Sequence, residues 1–158
     1  MRIRKDKGFS LIELLIVVAI ILIIAAIAIP NLLRSRMAAN EASAVGSLRT
    51  INTACVTYST TYGSGFPSAL TTLGSAGSGP TSASAALIDN VLAGGTKSGY
   101  TFVYSAGSPT GGVIPTYTVA ANPQVPGQTG LRYFFTDQSG VIRFNLSQSA
   151  TVSDSPLQ

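Results

Sequence analysis

Two hydrophobic patterns divide this chain. From Leu14 to Ile29 every residue is Leu, Ile, Val or Ala, and Glu13 is the only charged side chain between Phe9 and Arg34. In a helix rising ~1.5 Å per residue, residues 9–29 span about 30 Å, enough for one bilayer crossing. Beyond Pro30 the apolar positions thin to a stripe: Ala44, Leu48, Ile51, Cys55, Tyr58 and Tyr62 recur at spacings of three or four. The pattern predicts one helix from about Phe9 to Tyr62, roughly 80 Å long. Its first half is apolar all round. Its second half sets an apolar face against a Ser, Thr, Asn and Arg face. Gly63-Ser64-Gly65 ends it. Pro30 withholds an N–H from the carbonyl of Ala26 and crowds that turn, so a local helix break is expected there.

After Tyr62 the period changes. Residues 63–81 read as loop, with Leu70 and Leu73 as anchors. Ser82 to Ala93 reads as a short helix stopped by Gly94-Gly95. Four strands follow: Tyr100–Ser105, Thr116–Ala121, Leu131–Thr136 and Val141–Leu146. The last two flank Asp137-Gln138-Ser139-Gly140, a hairpin loop. In the final strand Ile142, Phe144 and Leu146 share one face and Arg143 takes the other. Residues 106–115 and 122–130 are rich in Gly and Pro and read as exposed loops. The fold class is α+β: a long helix packed on a four-stranded antiparallel sheet whose apolar face covers the Leu48–Tyr62 stripe.

Charge sharpens this division. The net charge is +4 over 158 residues. Arg2, Arg4, Lys5 and Lys7 against Asp6 put +3 of it in the first eight residues. The remainder is nearly neutral, so the basic balance belongs to the leader and nucleic acid is not indicated as a partner. The basic run favours a cytoplasmic amino terminus; Arg34 and Arg36 on the far side weaken that bias without reversing it. A secretory signal places its cut after the apolar stretch. Here the small residue, Gly8, precedes it. A cut after Gly8 removes the charges and keeps the apolar helix. A carboxylate at the head of such a helix is costly in lipid and is a functional candidate whose partner must be named. An amine freed at Phe9 is that partner.

The run Lys7-Gly8-Phe9-Ser10-Leu11-Ile12-Glu13-Leu14-Leu15-Ile16-Val17-Val18-Ala19-Ile20, with Ala28-Ile29-Pro30-Asn31 later, closely resembles the prepilin processing signal of type IV pilins and type II secretion pseudopilins. The resemblance covers about residues 4–36. It implies residues 1–8 as a cleaved leader, 9–33 as a transmembrane and filament-core helix, and 34–158 as a pilin head. It implies that a prepilin peptidase and methylase cuts between Gly8 and Phe9 and N-methylates Phe9. It implies that Glu13 serves assembly. The partners implied are further copies of the chain in a helical homopolymer, an inner-membrane platform with an ATPase, and lipid before assembly. The subunit would be a single-pass inner-membrane protein first and part of an extracellular pilus afterwards. The segment before Pro30 would bend and could lose helix when packed in a filament.

The pairing has a physical rationale. An amine at Phe9 is cationic at neutral pH. In a bundle of copies, Glu13 of one chain can lie beside the Phe9 amine of another. A wrong stagger leaves both charges unpaired in an apolar core at a cost of several kcal/mol, so the pair sets register.

The head offers little competing chemistry. There is no His, which removes the commonest general base. The acids Glu41, Asp89, Asp137 and Asp154 lie far apart in sequence and outline no catalytic pair; no cofactor or metal is called for. Asp137-Gln138-Ser139-Gly140 lacks the acidic ligands of a calcium loop and reads as a turn. The chain also lacks the Trp motif usual in the major pseudopilin. Cys55 is the sole cysteine and reads as a buried apolar residue. Asn145-Leu146-Ser147 matches a glycosylation pattern that is common by chance. A non-enzymatic filament subunit is the reading these residues favour. A pseudopilin, a minor pilin and a membrane-tethered periplasmic binding module stay open as alternatives.

Overall fold

The computed structural model describes residues 9–77 and 79–157. The chain divides into two units, Met1–Ser35 and Arg36–Gln158. Helix α1, Leu11–Tyr62, contributes to both. It begins at Ser10-Leu11-Ile12-Glu13, where the Glu13 carboxylate reaches back to the Ser10 N–H and satisfies one donor of the open helix end. It stops at Gly63, which takes φ +66° and donates its N–H to the Ser59 carbonyl.

In the first unit the large aliphatic side chains of α1 from Leu11 (80% exposed) to Leu33 (49%) have no cover among the described residues, and only Ala25 is partly covered. The break expected at Pro30 is absent: α1 runs on through it. A proline forfeits one backbone bond, here to Ala26, and the bonds of neighbouring turns carry the helix past that loss.

In the second unit α1 lies among the core residues. Leu48, Ile51, Cys55 and Tyr58 are buried together with Leu70, Leu73, Ile88 and Leu92 and with the sheet residues Tyr100, Phe102, Tyr117, Val119, Ala121 and Phe134. The division of this half of α1 into apolar and polar faces is blurred. Glu41 and Ser47 are buried, while Val56 is exposed beside Thr53 and Thr57. Tyr62 is only half-buried. The hydroxyls of Thr50, Thr53, Thr57 and Thr60 bond back to carbonyls one turn earlier. Their polarity is spent on the helix itself.

Among the described residues the sheet has six antiparallel strands rather than four, in sequential order: β1 (Thr96–Lys97), β2 (Tyr100–Ala106), β3 (Tyr117–Pro123), β4 (Tyr133–Asp137), β5 (Arg143–Asn145) and β6 (Ser155–Pro156). The two added strands hold two residues each, too short for a period-two pattern to register. They form the edges and carry Lys97 and Pro156, residue types that discourage further strand addition. Along β3 alternate residues Tyr117, Val119, Ala121 and Pro123 face the core.

Several expected boundaries moved for local reasons. Residues 82–89 are not helical. The N–H groups of Ala85, Ala86, Leu87 and Ile88 bond to carbonyls of Thr72, Leu73 and Gly74, beside a 3-10 turn at Leu70–Leu73. Ala86 takes φ 52°. Helix α2 is only Asn90–Ala93, started by Asp89, whose carboxylate accepts the Leu92 N–H at 2.9 Å. β4 starts at Tyr133 rather than Leu131 because Glu41 takes the N–H groups of Leu131 and Arg132. β3 runs on to Pro123, two residues into the expected loop, and Pro123 pairs with Tyr100. β5 ends at Asn145, whose side-chain oxygen accepts from Ser147 and folds the chain back. Leu146 therefore points to solvent, 67% exposed, instead of joining Ile142 and Phe144.

Asn52 ties α1 to the sheet. It donates to Thr136 Oγ1 at 2.9 Å and accepts from the Tyr117 hydroxyl at 3.0 Å. Gly130 leaves room for the Tyr100 hydroxyl, which donates to the Arg132 carbonyl at 2.8 Å; a Cβ on Gly130 would overlap that hydroxyl. Gly130→Ala is expected to destabilise the folded chain by about 1–3 kcal/mol through this overlap. Chemical denaturation followed by tyrosine fluorescence measures it, and an unchanged midpoint would contradict the packing described.

Candidate assembly segment

Glu13 stands in the first turn of α1, where the positive end of the helix dipole favours an anion. Its Oε2 accepts the Ser10 N–H at 2.9 Å. Its Oε1 accepts nothing from any described residue, so one oxygen caps the helix and the other is available. Phe9, beside it, is 81% exposed. Gly8 and the leader lie outside the described residues, so the cleavage geometry at Gly8–Phe9 is not on view. The capping role of Glu13 was legible as Ser10-x-x-Glu13, a pattern that sequence reasoning passed over in favour of an intermolecular partner.

α1 is long and apolar enough to cross a membrane. Glu13 is the only charge on its uncovered stretch before Arg34. Such a surface is not stable in water. It needs lipid or other apolar helices, and a carboxylate taken into either needs a cation.

Three acids of the second unit, Asp137, Asp154 and Asp89, are engaged locally. Asp137 forms a turn: its Oδ1 accepts the Ser139 N–H at 2.9 Å and its carbonyl the Gly140 N–H. Asn145 Nδ2 donates to Asp154 Oδ1 at 2.7 Å while its Oδ1 accepts from Ser147 and Gln148. The second Asp154 oxygen accepts the N–H and hydroxyl of Thr151. These bonds, the Thr151 N–H first, hold the Asp154 carboxyl below its ordinary value. Asp89 pairs with Lys97 at 2.8 Å on the surface. Sequence separation hid one association: Glu41, buried in α1, meets Arg132, 91 residues away, at 2.7 Å. Cys55 is fully buried, and burial pushes its thiol up to about 12, with Tyr104 and Tyr117 pulling it back.

Comparison with known proteins places the first unit. Residues 3–29 match the model of the prokaryotic N-terminal methylation motif. The type IV wide pilus major component PilA4 of Thermus thermophilus is 66% identical over 38 residues, 24% of this chain and 29% of that protein. The type IV major pilin protein PilA of Myxococcus xanthus is 48% identical over 50 residues, 32% of this chain and 23% of that protein. The chain resembles the type IV pilins. The pilin likeness spans less than a third of either relative's length. No solved structure matches this chain. The methylation-motif match, residues 3–29, takes in Glu13 and most of the exposed apolar stretch of α1.

Burial of Cys55 makes a kinetic expectation. At pH 7.5 the folded chain's thiol should react with a disulfide reagent at least about a hundredfold more slowly than the thiol in denaturant, because both thiolate fraction and access are low. Comparable rates in the two states would show that Cys55 is exposed.

Proposed function

We propose that this chain is the structural subunit of a type IV pilus. The observation that carries the proposal is the uncovered apolar length of α1 with one carboxylate at its head. The methylation-motif match and the two pilin relatives support it. In this reading a peptidase removes residues 1–8 after Gly8, Phe9 becomes a methylated terminal amine, and residues 9–33 anchor the subunit in the inner membrane until it joins the fibre. The contact between copies is head-to-tail and does not close, so it builds an open filament.

Assembly moves about 20 aliphatic side chains from lipid to a protein core. Against water each is worth ~1.5–3 kcal/mol, but lipid is already apolar, so most of that gain cancels. Extraction therefore calls on an external source of work, an ATP-driven platform. What distinguishes the fibre from the bilayer is Glu13. Its uncommitted oxygen can receive the Phe9 amine of an adjacent copy without giving up the Ser10 cap. The match of charges fixes the stagger of neighbouring helices. Pro30, which already lacks one backbone bond, is where packing can loosen α1 at least cost.

Glu13→Val is expected to leave a processed, membrane-held subunit that forms at least about tenfold fewer fibres, counted by electron microscopy of sheared surface material. Normal fibre yield from that variant would remove Glu13 from the account. A bulky residue in place of Gly8 is expected to block processing, whereas Gly8→Ala costs little. Intact-mass measurement decides between a chain starting at methylated Phe9 and one starting at Met1.

A further inference from the structure

The pilus reading makes no use of Glu41. This carboxylate is buried on α1, and all its bonds go to one short stretch of chain. Oε1 accepts the N–H of Leu131 at 2.8 Å and of Arg132 at 3.1 Å, and Oε2 accepts Arg132 Nε at 2.7 Å. We propose that Glu41 and Arg132 form an acid-released latch: loss of the Glu41 charge frees segment 124–132 from α1 while the rest of the sheet stays folded.

The segment has little else to hold it. Of residues 124–132 only Gly130 is buried; Val125 and Leu131 are 44% and 54% exposed. Its internal bonds are turn bonds, such as Thr129 N–H to the Val125 carbonyl. Outside the latch it is fastened by Asn40 to the Thr129 carbonyl, by the Tyr100 hydroxyl to the Arg132 carbonyl, and by Gln124 N–H to the Gly99 carbonyl. These are neutral bonds. Bonds to an ionised carboxylate are about twice as strong, and Glu41 accepts three of them.

Among the described residues the titratable groups that face Glu41 are Arg132 and Tyr100. The Arg132 guanidinium lies 5.5 Å and 5.9 Å from the ring centres of Phe134 and Phe144 and stays charged. The Tyr100 phenol is pushed up by burial and by the Glu41 charge, so it stays neutral. Glu41 is therefore the group that changes charge in acid. Burial pulls its carboxyl upward, but the Leu131 N–H, the Arg132 side chain and the Arg132 N–H outweigh burial and hold it below the ordinary 4.5. A depressed carboxyl contributes fully above its unfolded value and loses that contribution as pH falls through the folded one. The latch is closed at neutral and mildly acidic pH and opens below pH 4.5. A protonated Glu41 presents an O–H to a site that holds only N–H donors, so it cannot keep all three bonds.

Hydrogen exchange of the full chain in detergent micelles, corrected for intrinsic rates, reads the latch directly. Between pH 7 and pH 3, exchange across 124–132 should accelerate about tenfold or more while β3 stays protected. Glu41→Gln should show the fast 124–132 exchange already at pH 7, with no further acid response. Unchanged protection of 124–132 in acid, its loss only together with β3, or a slow-exchanging Glu41→Gln at pH 7 would overturn the latch. Should Glu41→Gln fail to protect β3, the wild-type titration decides alone.

Discussion

Everything distinctive about this chain follows from an apolar helix that stands exposed among the described residues. From Leu11 to Leu33 the aliphatic side chains of α1 stand exposed, and Glu13 is the one ionisable group among them. Removing such a surface from water is favourable in a bilayer and in a bundle of copies alike, so hydrophobicity cannot choose between them. Charge can. An ionised carboxylate is penalised in both places, and a neighbouring cation relieves it. The Ser10 N–H satisfies one oxygen, and among the described residues the other has no donor.

The second unit covers its part of α1 with its own core. Its core gathers α1 residues such as Leu48, Ile51 and Tyr58 with Tyr117, Val119 and Phe134 of the sheet. Polar ties at Asn52 and Glu41 fix where the sheet and its loops meet the helix. Two-residue edge strands limit pairing with other sheets, which leaves association to other surfaces.

The long helix, its Gly63 stop, the central strands and the buried Cys55 were legible because each rests on local pattern. The 3.6-residue stripe and the period-two runs carry their own signal. What escaped notice depends on distant partners. The 82–89 stretch looks helical by composition, yet its N–H groups find carbonyls at Thr72, Leu73 and Gly74. Leu131 looks like a strand residue until Glu41 claims its N–H from 90 residues away. Leu146 fits an alternating strand, but the Asn145 side chain turns the chain first. The Pro30 break was expected from the lost bond and the crowded turn, whereas α1 keeps the remaining ladder. For the candidate assembly segment the residues singled out, Gly8, Phe9 and Glu13, lie close together in the chain, so their pattern could be read without a fold.

An atomic-resolution structure of the native fibre tests the central claim most directly. The account predicts a chain beginning at Phe9, with the Glu13 carboxylate within about 4 Å of the terminal amine of an adjacent copy. A fibre in which Glu13 faces no cation, or in which the chains still begin at Met1, would contradict it.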